Sequence, residues 1–579
     1  VIGKETGGKP MNEKELEKIK EARKEYDERV ARSLEKIPEQ KSEYTTDSWI
    51  PVDRVYTPID VEGIDYLRDI GFPGQYPYTR GVFPSGYRTR AWNRRQVAAR
   101  GTADECNKLA KYLISQGQTA FALHAGTFAG KKTSWDTDDP LYLGHAFRHN
   151  TKMDTLADFE DLYDGIDLEK FHVMAGLFPI DLAMFVVAAE KRGYDRKTLQ
   201  GSSSAQVRLI LYPENKGNPF IDMVEFCADE MPNWNAFYID AANIRDGGLT
   251  AVQELAWGIA VGKDGIREVM KRDVEIDRFA PRIHSYFRVG NDLFEEVAKF
   301  RALRRMWARM MKEEFGARDP RSLRMRVHVQ SLGPTFTAQQ PLNNLVRGTI
   351  HTLAASLGGV QSLAVDTYDE ALSTPSDVGK VLSLRTQQIV EHESGIVNVA
   401  DPLGGSYYVE WLTNKMEEEA QKIIDKLEEL GGACKIKACS WFLPQKREAA
   451  YKRQKEIDTK KRIVVGVNEY VMDEKDMLST FVPEVLDFDY QAMYRKQVER
   501  LNKVRRERDN AKVEWAKKML YDAFKSKVNM MPPMIEAVKT YITAGEIMKV
   551  LMEARGPQYG PRGENTIEKE IELGLFNFD

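Results

Sequence analysis

The sequence predicts an α/β protein: a (β/α)8 TIM barrel with an N-terminal helical arm and a mostly helical C-terminal region. Three observations carry this. From about residue 100 onward, short apolar runs of strand length alternate with helical runs, and that alternation implies a parallel sheet. Seven candidate strands plus one without a clear signal fit eight, the number that closes a barrel. The 579 residues, 42% of them apolar, supply enough core for one large barrel with attachments.

In chain order, residues 11–38 read as a highly charged helix with Glu and Lys at i,i+4 spacing, an arm lying on another surface. Pro-containing segments from 51 to 84 follow. Thr102 and Glu105 form a capping box, a helix runs to Gln116, Gly117 can end it, and TAFALHAG (119–126) reads as a buried strand. Further strands are expected at FHVMAG (171–176), NAFYIDA (235–241), RIHSYF (282–287), RVHVQS (326–331) and QSLAVD (361–366), with a weaker one at TLQGSSS (198–204). Helical patterns separate most of them, among them PIDLAMFVVAAEKRG and LFEEVAKFRALRRMWARMMKEEFG. After residue 400, DPLGGSYYVEWL leads into a charged helix, VVGVNEYV reads as a last short strand, and the chain from about 485 is helical. Loops after the strand ends carry the chemistry of such barrels, so His124–Lys132, Asp240–Gly248, Gln330–Gln340 and Asp366–Glu370 are expected to line one mouth.

Composition narrows the function. A net charge of −4 gives no basic field for nucleic acid or membrane, and no run of about 18 apolar residues is present. The charged N-terminal stretch lacks a signal pattern, which predicts a cytoplasmic protein. Cysteines 106, 227, 434 and 439 form no Cys-x-x-Cys pair and the eight histidines form no HExxH, so no metal site is expected. HAGTFAGKKTS (124–134) is not a phosphate-binding Walker loop. Three residues, not four, separate Gly126 from Gly130, and Lys132 stands where the hydroxyl should be.

Gly71–Arg95, GFPGQYPYTRGVFPSGYRTRAWNRR, joins tyrosines 76, 78 and 87 to arginines 80, 88, 90, 94 and 95 on a stiffened backbone. Forked arginine donors suit phosphate and aromatic faces suit a long apolar chain. PGQYPYTRG with Tyr87 and Arg-x-Trp resembles the coenzyme A entrance of the adenosylcobalamin-dependent acyl-CoA mutases, the methylmalonyl-CoA mutase family. Further similar blocks are Phe279-Ala-Pro-Arg282, Glu295–Arg301, His328-Val-Gln330, Asp369-Glu-Ala371 and Asp401–Tyr408, and the likeness covers roughly residues 45 to 510.

This resemblance implies a barrel, residues 51–480, that binds acyl-CoA between the arm (1–50) and the helical region (481–579). It implies coenzyme A contacts from Tyr76, Tyr78, Arg80 and Arg282, and a catalytic set of Tyr87, Asn243 and Gln330. Gln330, Asp366 and Glu370 would face the adenosyl side of the cofactor. The family's Asp-x-His-x-x-Gly cobalt-ligand loop is not found, so adenosylcobalamin is expected to be carried by a separate small cobalamin-binding subunit in a heterotetramer or other heteromer. The resemblance leaves room for a G-protein chaperone as a further partner.

Departures from the family fall at the reacting centre. Its Ser-Gly-Tyr-His run is here Asp240-Ala241-Ala242-Asn243, and RLILYPENKGNP (208–219) offers no clearly matched arginine for a substrate carboxylate. Asparagine can hydrogen-bond a thioester carbonyl but cannot donate a proton near neutral pH. The expectation is therefore radical 1,2-rearrangement of a branched acyl-CoA other than methylmalonyl-CoA. The alternative is a catalytically silent barrel that stabilises a mutase complex.

Overall fold

The computed structural model of the chain describes residues 13–98, 101–121, 125–126, 136–139, 151–176, 178–203, 218–472 and 489–555. It is a mixed α/β structure with parallel strands. They are β1 (Asn93–Arg95), β2 (Ala120–Phe121), β3 (Ala125–Gly126), β4 (Thr151–Lys152), β5 (His172–Met174), β6 (Gly201–Ser202), β7 (Trp234–Asn235), β8 (Phe237–Asp240), β9 (Ile283–Val289), β10 (Arg326–Ser331) and β11 (Ser362–Ala364). One sheet has the order β1-β11-β10-β9-β8, a second β2-β5-β6-β7, and β3 pairs with β4.

The expected strands form where described, with local differences. RIHSYF continues to Val289, because Arg288 and Val289 keep the ladder with Gln330 and Ser331. TLQGSSS contributes only Gly201 and Ser202. Glycine is required at 201: a Cβ there would meet the Trp234 ring at 2.1 Å and the Val173 carbonyl at 2.4 Å. VVGVNEYV is not a strand but a turn closed by a single bridge between Val465 and Glu469. One strand carried no apolar signal, Asn93–Arg95, in the arginine-rich stretch. Residues 122–124 of TAFALHAG and the loop segment 127–132 lie outside the described residues, as does most of RLILYPENKGNP.

Helices cover the outer face. Ala251–Met270 approaches the sheet through Gly258 and Gly262, where a Cβ would strike Phe287 at 2.5 Å and Ile239 at 2.7 Å. Leu293–Glu313 lies beside it and buries Trp307, Arg301 and Arg304. The capping box at Thr102 is formed, Thr102 N donating to Glu105 Oε2 at 2.8 Å. The charged N-terminal stretch forms the helix Glu13–Leu34. The last helices share the core: Val513, Leu520, Met534 and Ile547 belong to the same apolar cluster as Phe185 and Trp234. Gln497 Nε2 reaches the buried Asp154 at 2.8 Å. Among the described residues no helix is long and apolar enough to cross a membrane.

Candidate functional site

Period-two alternation puts every second residue of β8 to β11 and β1 on one face, and the parallel register stacks them in levels. Tyr238, His284 and Arg326 pair at the first level. Asp240, Tyr286, His328, Ser362 and Asn93 form the second. Arg288, Gln330, Ala364 and Arg95 form the third. The intervening Ile239, Phe287, Val327, Val329 and Leu363 are buried on the other face. In β10 Arg326, His328 and Gln330 are half-exposed while Val327, Val329 and Ser331 are buried, so the face of the first three borders accessible space. Buried parallel strands ordinarily present aliphatic side chains on both faces. A face of arginine, histidine, tyrosine and glutamine is instead suited to a ligand that passes along it.

Aromatic rings line the path. Tyr238 lies 4.9 Å from His284, and Tyr286 stacks on His328 at 5.2 Å with planes 14° apart. Burial and the nearby Arg95 guanidinium hold His284 down at about 3, and hold His172 and His328 well below the ordinary histidine range. All three are neutral at physiological pH.

At the C-terminal ends of the strands, the Tyr286 hydroxyl donates to Gln330 Oε1, and Gln330 Nε2 donates to Asp366 Oδ1 at 2.7 Å. Arg288 lies 5.1 Å over the Tyr286 ring and donates through Nε to Asp246 Oδ2 at 2.9 Å. Burial pushes the Asp366 carboxyl up to about 6, partly offset by Arg288. Glu370 reaches the surface, yet desolvation and the charge of Asp366 raise its carboxyl to about 8. Asn243 lies in the short helix Ala242–Asp246 that follows β8, where its Nδ2 donates to Asp240 Oδ2 at 2.6 Å. Its neighbour Ala242 has no exposed surface and packs into the core.

The N-terminal ends of β9 and β10 are basic. Arg282 Nη2 donates to Asn233 Oδ1 at 3.0 Å, and Arg326 Nη1 to the Pro281 carbonyl at 3.0 Å and Asn235 Oδ1 at 3.3 Å. Burial, with Arg282, Arg324 and Arg321 close by, lowers the Arg326 guanidinium to about 10. Tyr78 joins this end: Arg324 sits 5.7 Å over its ring, and its hydroxyl donates to the Pro320 carbonyl at 3.1 Å. Tyr76 lies under Lys312 and donates to Glu313 at 3.2 Å.

The structure thus brings Gln330, Asp366, Glu370 and Asn243 to one end, and Tyr78 and Arg282 to the other. Arg80 is committed elsewhere, to Asp401 Oδ2 at 3.1 Å and the Tyr66 hydroxyl at 3.1 Å. Tyr87 donates to the Val360 carbonyl at 2.6 Å, ahead of β11, and packs edge-on against Trp92 rather than beside Gln330. Sequence reasoning missed Tyr238, His284, Tyr286, Arg288 and Arg326, although the polar residue at every second place in RIHSYFRV and RVHVQ was the available signal.

The sequence matches the family description methylmalonyl-CoA mutase over residues 45–557. The chain belongs to the methylmalonyl-CoA mutase family. It is therefore a member of a family of isomerases, acyl-CoA mutases that use adenosylcobalamin. It is 40% identical over 536 residues to the 2-hydroxyisobutanoyl-CoA mutase large subunit of Aquincola tertiaricarbonis, covering 90% of this chain and 94% of that one. It is 34% identical over 550 residues to a methylmalonyl-CoA mutase of Rhizobium meliloti, covering 92% of this chain and 75% of the relative. A probable mitochondrial methylmalonyl-CoA mutase of Caenorhabditis elegans is 35% identical over 517 residues, covering 87% and 68%.

As a mutase of this family, the chain would face the cofactor with its acidic mouth. Half-exposed Gln330 and exposed Glu370 offer the donors and acceptors that ribose hydroxyls and an adenine edge require. A cobalt ligand is another matter. Among the described histidines, His172, His284 and His328 lie inside, His351 Nε2 bonds Asn291 at 2.8 Å, and His392 is on an outer helix. No cluster of three or more His, Cys, Asp or Glu able to hold a metal occurs among the described residues. The mouth therefore fits the nucleoside side of the group rather than its metal.

Proposed function

We propose that this chain is the substrate-binding large subunit of an adenosylcobalamin-dependent mutase acting on a branched acyl-CoA other than methylmalonyl-CoA, with residues 51–480 forming a closed (β/α)8 barrel. Two junctions support closure. Only Ala236 separates β7 from β8, and Thr119, just before β2, donates from its backbone N to the Arg94 carbonyl of β1 at 3.1 Å. The ring then runs β1, β2, β5, β6, β7 with β8, β9, β10, β11. Residues 1–50 are its arm and 481–579 its helical flank. A separate small subunit presents the corrinoid, a reading supported by the chain's match to 94% of a relative named as a large subunit.

The observation that carries this function is the polar, partly accessible ladder joining a basic end to an acidic mouth. Arg282, Arg324 and Arg326 at the basic end hold the anionic part of coenzyme A. Tyr238, His284 and His328 flank the pantetheine arm as it passes inward. Tyr286 and Gln330 position the thioester and acyl group, and the surrounding core excludes water from them. Gln330, Asp366 and Glu370 hold the nucleoside side of adenosylcobalamin, which when bound supplies the homolytic chemistry that starts the 1,2-rearrangement. Asn243 anchors the mouth loop through Asp240 and can offer an amide to the carbonyl.

The test is reconstitution. The chain, a cobalamin-binding small subunit and adenosylcobalamin are incubated with a panel of branched acyl-CoA esters, and products are read by mass spectrometry after isotope labelling. Rearrangement of a branched ester in preference to methylmalonyl-CoA is expected. Tight ester binding without rearrangement of any member would favour the silent-subunit reading, to which the missing proton donor at Asn243 lends support.

A further inference from the structure

Arg288 carries its charge between two acidic side chains at the strand ends, Asp246 and Asp366, and only the first holds it. Its Nε donates to Asp246 Oδ2 at 2.9 Å, its Nη2 donates to the same oxygen, and its Nη1 reaches the Ser331 carbonyl at 3.4 Å. Among the described residues Asp246 is the one carboxylate bonded to this guanidinium. The backbone beneath is fixed from both sides: Arg288 N donates to Glu254 Oε1 at 2.6 Å, and Lys299 Nζ donates to the Arg288 carbonyl at 2.6 Å. A fixed backbone still leaves a long side chain its rotamers, and the bond to Asp246 selects one of them. In that rotamer the guanidinium lies 5.1 Å over the Tyr286 ring. Asp246 has no other side-chain bond among the described residues, and its Oδ1 is buried without a partner.

Asp366 is the rival for this cation. Arg288 pairs in register with Gln330, Gln330 pairs with Ala364, and Asp366 follows two places along the chain. The charge is felt there, because Arg288 offsets part of the rise that burial imposes on the Asp366 carboxyl. Asp366 Oδ1 is also the oxygen that receives Gln330 Nε2 at 2.7 Å. A guanidinium offers a carboxylate both charge and a fork of donors, which a neutral amide cannot match. Released from Asp246, Arg288 would turn to Asp366 and displace Gln330. The Gln330 carbonyl oxygen would then lose its set direction towards the Tyr286 hydroxyl.

We propose that Asp246 is a positioning residue for the rearrangement: it keeps the Arg288 guanidinium over Tyr286 and off Asp366, so that Gln330 presents its amide to the acyl group in one orientation. The inference rests on the mutase reading above and adds to it a residue that acts without touching substrate or cofactor. The same pair ties the short helix Ala242–Asp246, which carries Asn243, to β9.

The test uses the full chain reconstituted with the cobalamin-binding small subunit and adenosylcobalamin, a panel of branched esters led by isobutyryl-CoA, and crystal structures of the chain and its variants. Asp246→Asn keeps the shape and removes the charge. Its kcat is expected to fall roughly 10- to 100-fold, the scale of a misplaced group at the reacting centre, while KM stays within about twofold. Its structure should show the guanidinium on Asp366. Removing the strayed cation as well, with Asp246→Asn and Arg288→Gln together, should regain most of kcat, and Asp246→Glu should largely retain it. A purely structural pair gives the opposite order, the double variant being no better than the single one, and that result overturns the inference. A structure of the Asp246→Asn variant with Arg288 still over Tyr286 overturns it too, whether or not any ester turns over. If Asp246→Asn alone does not fold, the double variant leaves no unpaired charge buried and decides the matter: kcat within about tenfold of the unaltered complex supports the role, and a greater loss overturns it. Unchanged kcat in Asp246→Asn overturns the role and leaves the mutase reading intact. No turnover of any branched ester by the unaltered complex overturns both.

Discussion

Gln330 donates through Nε2 to Asp366 Oδ1 at 2.7 Å while its Oε1 receives the Tyr286 hydroxyl. A carboxylate can only accept, so the amide has one orientation. Fixing it costs something. Burial raises the Asp366 carboxyl to about 6, against an ordinary value of about 3.9. The folded chain thus holds this proton more tightly than the unfolded chain, and protonation favours folding. The contribution is least unfavourable below about pH 4, worsens as pH rises towards 6, and stays unfavourable above it. Asp366→Asn removes this dependence. Thermal unfolding from pH 4 to 8 is expected to show the variant gaining on the unaltered protein as pH rises, with the two converging at the acid end. A difference independent of pH would refute the assignment.

Tyr286→Phe isolates the other half of the same link. The ring keeps its stack on His328 at 5.2 Å and its place beneath Arg288 at 5.1 Å, and loses only the hydroxyl. The stability loss is expected to be about 0.5–1.5 kcal/mol, the worth of one hydrogen bond. In the reconstituted enzyme kcat should fall while KM for the ester stays nearly constant, because Gln330 keeps its bond to Asp366 but loses the hydroxyl that steadies its carbonyl oxygen. A rise in KM at unchanged kcat would place Tyr286 in ester binding instead.

The arginines should separate by their present partners. Among the described residues Arg326 and Arg282 bond only to neutral groups and stand among other cations, so an added phosphate relieves them. Arg326→Ala or Arg282→Ala is expected to weaken acyl-CoA binding by about 1.5–3 kcal/mol per lost charged hydrogen bond. Arg80 is held by Asp401, to which buried Arg301 also bonds. Arg80→Ala should therefore lower the unfolding temperature more than it lowers ester affinity. Calorimetry and thermal scans on the three variants decide the matter, and an Arg80 variant with the largest affinity loss would reverse the ranking.

Much of this was legible in the sequence because the signals were local. The strands RVHVQS and NAFYIDA announce themselves by β-branched and aromatic residues, and the Thr102 cap by its spacing to Glu105. The residues expected at the mouth came from resemblance, since nothing in the isolated letters Gln330 or Glu370 marks them. What escaped was set by tertiary geometry. Asn93–Arg95 is a strand only because Ser362–Ala364 offers it a parallel edge, and VVGVNEYV, for all its valines, finds no such edge. The polar ladder escaped because a half-polar strand reads as solvent-facing, whereas Tyr238, His284 and Arg288 on that face are buried.

At Ala242 the family comparison suggests space, whereas the structure leaves the residue no exposed surface. The small residue suggests room in the pocket, and a tyrosine there would then penalise larger substrates selectively. In the structure Ala242 is wholly buried at the start of the short helix Ala242–Asp246, whereas Asn243 beside it is exposed and bonded to Asp240. Adding a phenol ring inside packed core forces neighbours off their rotamers and costs about 1–3 kcal/mol or more. Ala242→Tyr is therefore expected to destabilise the fold, shifting denaturant unfolding to lower concentration and reducing affinity for large and small esters alike. On the proposed function the acyl group is positioned instead by Tyr286, whose ring stands 6.1 Å from that of Tyr238. Tyr286→Ser is expected to enlarge the space there, raising the affinity for bulkier branched esters relative to isobutyryl-CoA. An Ala242→Tyr variant of normal stability that discriminated sharply by acyl size would return the selectivity to the loop after β8.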